Sequence, residues 1–113
     1  MGALELPKDL IKKCDEFKPT DIVVGVLCKN VETTVLHVLN VVNEGLYSYF
    51  PDYRKCIAVS IAPSDDRTME MAELFQTYNS IGKIITQDIG GKGKGAGIRT
   101  IMEIARYLEA EVL

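Results

Sequence analysis

The sequence predicts a three-layer α/β fold on a mainly parallel sheet of three to four strands. Three observations predict it. Short β-branched runs alternate with longer segments of helical period. Those runs carry no polar alternation, as expected of strands covered on both faces. The order is one helix, then three strand–helix units, then the start of another strand. A chain of 113 residues, with 47% apolar and 26% charged residues, suits one modest globular domain.

Residues 1–20 read as an N-terminal helix and lead-in. Pro7 fits a first helical turn, and Leu10, Ile11 and Cys14 share a face up to about Phe17. Residues 21–28 form the first strand, and Lys29-Asn30-Val31-Glu32 turns into a helix that Asn30 can cap. That helix covers 33–44, with a polar stripe at His37, Asn40 and Glu44, and Gly45 stops it. Residues 46–52 read as an aromatic loop. The second strand is 54–61. A turn at 62–66 leads to a helix over about 67–80, which Gly82 breaks. A short third strand at 83–86 is followed by the glycine-rich stretch at 90–97. The last helix is 97–108, and residues 109–113 read as the start of a fourth strand that is not completed.

Net charge is −3, which weighs against a broad nucleic-acid surface. The basic charge is focused. Between Lys83 and Arg106, five basic residues (Lys83, Lys92, Lys94, Arg99, Arg106) face two acidic ones (Asp88, Glu103), a local balance of +3. Cys14, Cys28 and Cys56 form no CxxC pair, which argues against a disulfide framework and a structural zinc site. No basic-then-apolar leader opens the chain, and no apolar run reaches membrane-spanning length. The expected compartment is the cytoplasm.

Five of the nine glycines fall in Gly90-Gly91-Lys92-Gly93-Lys94-Gly95-Ala96-Gly97. A glycine-rich basic loop that opens into a helix suits an anion. Backbone N–H groups can approach closely, the helix N-terminus carries partial positive charge, and lysine adds a full one. The alternative is a solvated turn. No register supplies a Walker A loop. The dinucleotide pattern G-x-G-x-x-G/A is met by Gly91, Gly93 and Ala96, with Glu111 about 20 residues on. It stands in the third strand–helix unit instead of the first, so an NAD(P)-binding oxidoreductase fragment is the weakest reading.

Three segments resemble the N-terminal half of a GT-A-type glycosyltransferase, near family 2 and the glucosyl-3-phosphoglycerate and mannosylglycerate synthases. They are Asp21-Ile22-Val23-Val24-Gly25-Val26 with Asn30 and Glu32; Val59-Ser60-Ile61-Ala62-Pro63-Ser64-Asp65-Asp66-Arg67-Thr68; and Gly91-Lys92-Gly93 through Arg99-Thr100 to Glu109-Ala110-Glu111. The resemblance covers residues 21–113 as a partial nucleotide-sugar-binding domain, Rossmann-like and incomplete.

It implies a nucleoside-diphosphate-sugar site at Leu27, Cys28, Asn30, Glu32, Ile61, Gly91, Lys92, Gly93 and Arg99, with Lys92 beside the diphosphate. It also implies a divalent ion, Mg or Mn, whose Asp-x-Asp ligands are not in these 113 residues. Leu27-Cys28 stands where the family has proline. Ile61 stands where it has a base-reading aspartate. No catalytic residue is assigned, and transfer of a hexose by these residues alone is not expected. The competing expectation is a non-catalytic α/β interaction module that forms homo-oligomers through an exposed sheet edge.

Overall fold

The computed structural model describes residues 6–89 and 95–113. At its centre is β2 (Lys55–Ile61), with every residue buried. β1 (Ile22–Cys28) and β3 (Ile81–Gln87) flank it in parallel, in the order β1-β2-β3. Ile22 and Ile81 sit opposite Lys55, and Cys28 and Gln87 sit opposite Ile61, so the strands end together.

Helices cover both faces, as a parallel sheet requires. α2 (Val35–Tyr49) and α3 (Thr68–Glu73) lie on one face. There Leu39, Leu46 and Phe75 pack with Ile57, Val59 and Ile85. α1 (Lys8–Asp15) and α4 (Ala96–Tyr107) lie on the other, where Leu10, Ile104 and Leu108 pack with Val23, Ala58 and Ile84. The fold is therefore α/β in three layers. After β3 the chain changes face through α4 and returns to the outer edge of β1. A parallel bridge joins Ile22 to Val112 there. The spatial sequence β3-β2-β1 with Val112 beside β1 matches half of a doubly wound sheet, whose strand order reverses beside its first strand.

Two glycines permit this packing. A Cβ on Gly25 would lie 2.4 Å from Ile101 Cγ2, so its absence lets α4 press onto β1. A Cβ on Gly82 would lie 2.7 Å from the Phe17 ring.

Four expectations need correction. Gly45 does not stop α2, which continues to Tyr49 and absorbs most of the expected aromatic loop. A mid-helix glycine costs roughly 1 kcal/mol against alanine. Burial of Leu46 in the core outweighs it. α3 ends at Glu73 instead of near Ser80. Its following backbone is satisfied from outside: Lys83 Nζ donates to the Phe75 carbonyl (2.7 Å), and the Tyr78 amide donates to Asn43 Oδ1 (3.2 Å). β3 starts at Ile81 and includes Gly82, because Phe17 covers that glycine. Finally, β1 is not covered along its length. Gly25 and Leu27 are exposed.

Candidate functional site

The carboxyl ends of the three strands open onto the same side. In open parallel sheets this is where ligands bind. The first two loops are locked together by side chains. Asn30 adopts a left-handed conformation (φ 52°). Its Oδ1 accepts the Asp65 amide at 2.8 Å, and its own amide donates to Ser64 Oγ at 3.1 Å. The Val31 amide donates to Thr68 Oγ1 (2.8 Å) and the Glu32 amide to Asp66 Oδ2 (3.1 Å). Asp66 Oδ1 also accepts the Thr68 hydroxyl (2.5 Å) and amide (3.0 Å). The Thr68 hydroxyl bond, helped by the backbone amides of Glu32 and Thr68, holds the Asp66 carboxyl below the usual carboxylate range. Asn30, Asp66 and Thr68 thus build the frame of the site.

The third loop is tied to the second strand. Ser60 Oγ donates to Asp88 Oδ1 at 2.5 Å, and the Asp88 amide donates to the Ile61 carbonyl at 3.0 Å. One residue on, the Ile89 amide donates to Thr100 Oγ1 at 2.9 Å, and that hydroxyl donates to the Ala96 carbonyl at 2.7 Å. Thr100 is fully buried, so it fixes the start of α4 against the end of β3.

Asp88 lines three clefts, two of which open onto the loops just described. One, of about 470 Å³, runs along Ile61, Pro63, Ser64 and Asp66. The other, of about 230 Å³, is bounded by Cys28, Lys29, Ser60, Asp88 and the α4 N-terminus at Gly95 and Gly97. Gly95 caps α4 with φ +86° and offers no side-chain oxygen. Among the described residues no side chain caps the first-turn amides, which carry partial positive charge. A Cβ on Gly97 would lie 3.2 Å from Asp88 Oδ1 and 3.0 Å from Leu27 Cδ2, so glycine lets the helix begin close to both.

The expected site residues divide accordingly. Leu27 and Cys28 line the smaller cleft and Ile61 the larger. Asn30 and Glu32 line neither cleft. The Asn30 oxygen is already used, while the Glu32 carboxylate has no hydrogen bond among the described residues. Arg99 is exposed, its Nη1 only 3.1 Å from where a Gly95 Cβ would stand, and it forms no ion pair among the described residues. Gly91, Lys92 and Gly93 lie outside the described residues.

Burial pushes the Cys28 thiol up, and pushes Cys14 to about 11 and Cys56 to about 12. All three stay protonated near neutral pH, which removes them as nucleophiles. Among the described residues no group of three or more His, Cys, Asp or Glu side chains converges on one point.

Sequence reasoning missed Ser60 and Asp88. Each left a signal: Ser60 is the one hydroxyl within the apolar run of β2, and Asp88 directly follows β3 at the ligand-binding end of the sheet. Among the described residues no helix is long and apolar enough to cross a membrane. Comparison with protein-family models, curated proteins and solved structures finds no match to this chain, so the cleft is read from its own chemistry.

Proposed function

We propose that the cleft binds a nucleoside diphosphate sugar, as the nucleotide half of a glycosyltransferase. The observation that carries this reading is the convergence at Asp88. All three strand ends and the start of α4, uncapped among the described residues, border clefts that this carboxylate lines. Such a site offers two kinds of contact. The α4 amides suit the diphosphate, joined by Lys92 from the segment linking Ile89 to Gly95. The Asp88 carboxylate suits hydroxyl or N–H donors of the nucleoside.

Asp88 also addresses a departure from the resembled family. Ile61 brings no carboxylate to the second strand end, and Asp88, bonded to the Ile61 carbonyl, brings one from the neighbouring strand. Ser60 holds that carboxylate in place. In sugar transfer, negative charge grows on the departing nucleoside diphosphate. Donors aimed at that charge are the groups that lower the barrier. Binding, without transfer, is the activity proposed for these 113 residues.

Calorimetric titration with UDP-, GDP- and ADP-sugars tests the reading. The expected result is a dissociation constant on the order of 1 mM, equivalent to about 4 kcal/mol, for at least one of them. Lys92→Ala and Asp88→Asn should each weaken it. Absence of binding to all three at millimolar concentration, or unchanged affinity in both variants, contradicts the proposal.

A further inference from the structure

The clefts at the strand ends differ in what they leave free for a ligand. The smaller one shares Ala62 and Asp88 with the larger, so the passage between them runs past these two residues. A third cleft, of about 500 Å³, is bordered by α1, α3 and the end of β3, and it shares only Asp88 with the smaller one. Ala62 is engaged already. Its amide donates to the Cys28 carbonyl (2.8 Å), and its carbonyl accepts the Ser64 hydroxyl (2.9 Å). Asp88 is different. Its Oδ1 accepts the Ser60 hydroxyl, and no described residue bonds its Oδ2. An ionised carboxylate accepts at both oxygens, so Asp88 keeps spare capacity on the shared wall.

The other polar side chains of the larger cleft are mostly committed to the frame. Ser64 Oγ donates to one backbone group and accepts another. Both oxygens of Asp66 are taken by the Glu32 amide and by Thr68. Beside them stand Ile61, Pro63 and Met69, which suit the face of a flat ring and do not read its edge. Gln87 also lines this cleft and is exposed. Its side-chain amide both donates and accepts, so it suits the edge of any base.

A nucleoside diphosphate carries its ribose between base and phosphates. With the diphosphate at the α4 amides of the smaller cleft and the base in the larger, the ribose lies at the passage, against Asp88. Its 2′ and 3′ hydroxyls are two donors on neighbouring carbons, and a carboxylate accepts both in charge-assisted bonds. We propose that Asp88 holds the ribose diol, so that the site selects ribonucleoside diphosphates over their 2′-deoxy forms while tolerating different bases. This assignment rests on the nucleotide-binding function proposed above.

Calorimetric titration of the 113-residue chain with UDP, GDP, ADP and 2′-deoxy-UDP tests it. UDP, GDP and ADP are expected within about threefold of one another. The 2′-deoxy form is expected to bind about tenfold more weakly than UDP, the loss of one charge-assisted hydrogen bond. In Asp88→Asn, which keeps the shape and removes the charge, the ratio between UDP and 2′-deoxy-UDP should fall towards one. Inorganic pyrophosphate has no ribose and should bind this variant at least as well as the parent. Equal binding of UDP and 2′-deoxy-UDP by the parent overturns the ribose assignment and leaves the nucleotide site standing. So does a ratio that survives in Asp88→Asn, or loss of pyrophosphate binding in that variant with an unchanged thermal midpoint. One base preferred by more than about tenfold overturns the tolerance of bases. No binding of any of the four nucleotides overturns the nucleotide site and the ribose assignment together.

Discussion

β1 and β2 have the same length and nearly the same apolar, β-branched composition, yet they live in different surroundings. β2 has a strand on each side and helices on both faces, and all seven of its residues are buried. β1 has a strand on one side only. Its first two residues are buried, while Gly25 and Leu27 are exposed. A continuous apolar run therefore reports how a strand is suited to be covered, not how much of it is covered. β2 uses that character for the core, and β1 leaves part of it available at an edge.

Core truncation should separate the two strands most strongly. Ile57→Ala, at a fully buried position of β2, should destabilise by about 2–5 kcal/mol, whereas Leu27→Ala should cost less than about 0.5 kcal/mol. Urea denaturation reads both. Similar costs would mean that Leu27 is as well covered as Ile57. Next in size is Gly25→Val, whose Cβ would collide with Ile101 at 2.4 Å. Overpacking there should cost about 1–3 kcal/mol, and Ile101→Ala should recover part of it. Full additivity of the two changes would show that α4 does not rest on Gly25.

A smaller effect concerns the frame at the strand ends. The Asp66 carboxyl is held below its ordinary value of 3.8 in the folded state, chiefly by the Thr68 hydroxyl. A lowered folded value means the charged form favours folding. That contribution is complete above the unfolded value and is lost as pH falls below about 3.8 through the folded value. Asp66→Asn should therefore flatten the acid limb of the stability curve, with little change in slope above it. An unchanged acid limb would show that Thr68 does not hold the carboxylate. The smallest effect is expected for Met102→Ser on the β1 side of α4. It should leave stability within about 0.5 kcal/mol of the parent, since Met102 is already in water.

The three strands and their parallel arrangement were legible because apolar runs and turn residues mark them directly, whereas the strand order and the return of the chain to β1 came only with the structure. The helix ends were less so. Gly45 signals a stop, but Leu46 beyond it buries in the core and carries α2 on to Tyr49. The shortening of α3 depended on Asn43, 35 positions from Tyr78, and on Lys83, eight from Phe75, which take over the backbone groups that follow the helix. At the cleft, Leu27, Cys28 and Ile61 were placed by the family resemblance. The Ser60–Asp88 bond spans 28 positions and has no local pattern. Asn30 reads as a helix cap or a ligand contact, but Thr34 stands at the N-cap of α2 and the Asn30 oxygen instead accepts the Asp65 amide of the neighbouring loop.

The nucleotide site is proposed at the carboxyl ends of the strands, gathered on Asp88. The most direct measurement is amide chemical-shift mapping with the sugar nucleotide that binds most tightly. Saturable shifts are expected at Lys29, Ser60, Asp88 and Gly97, lost in Asp88→Asn, with Lys55 and Ile81 at the opposite end of the sheet unmoved. Shifts confined to that opposite end, or none at the four cleft amides, would contradict it.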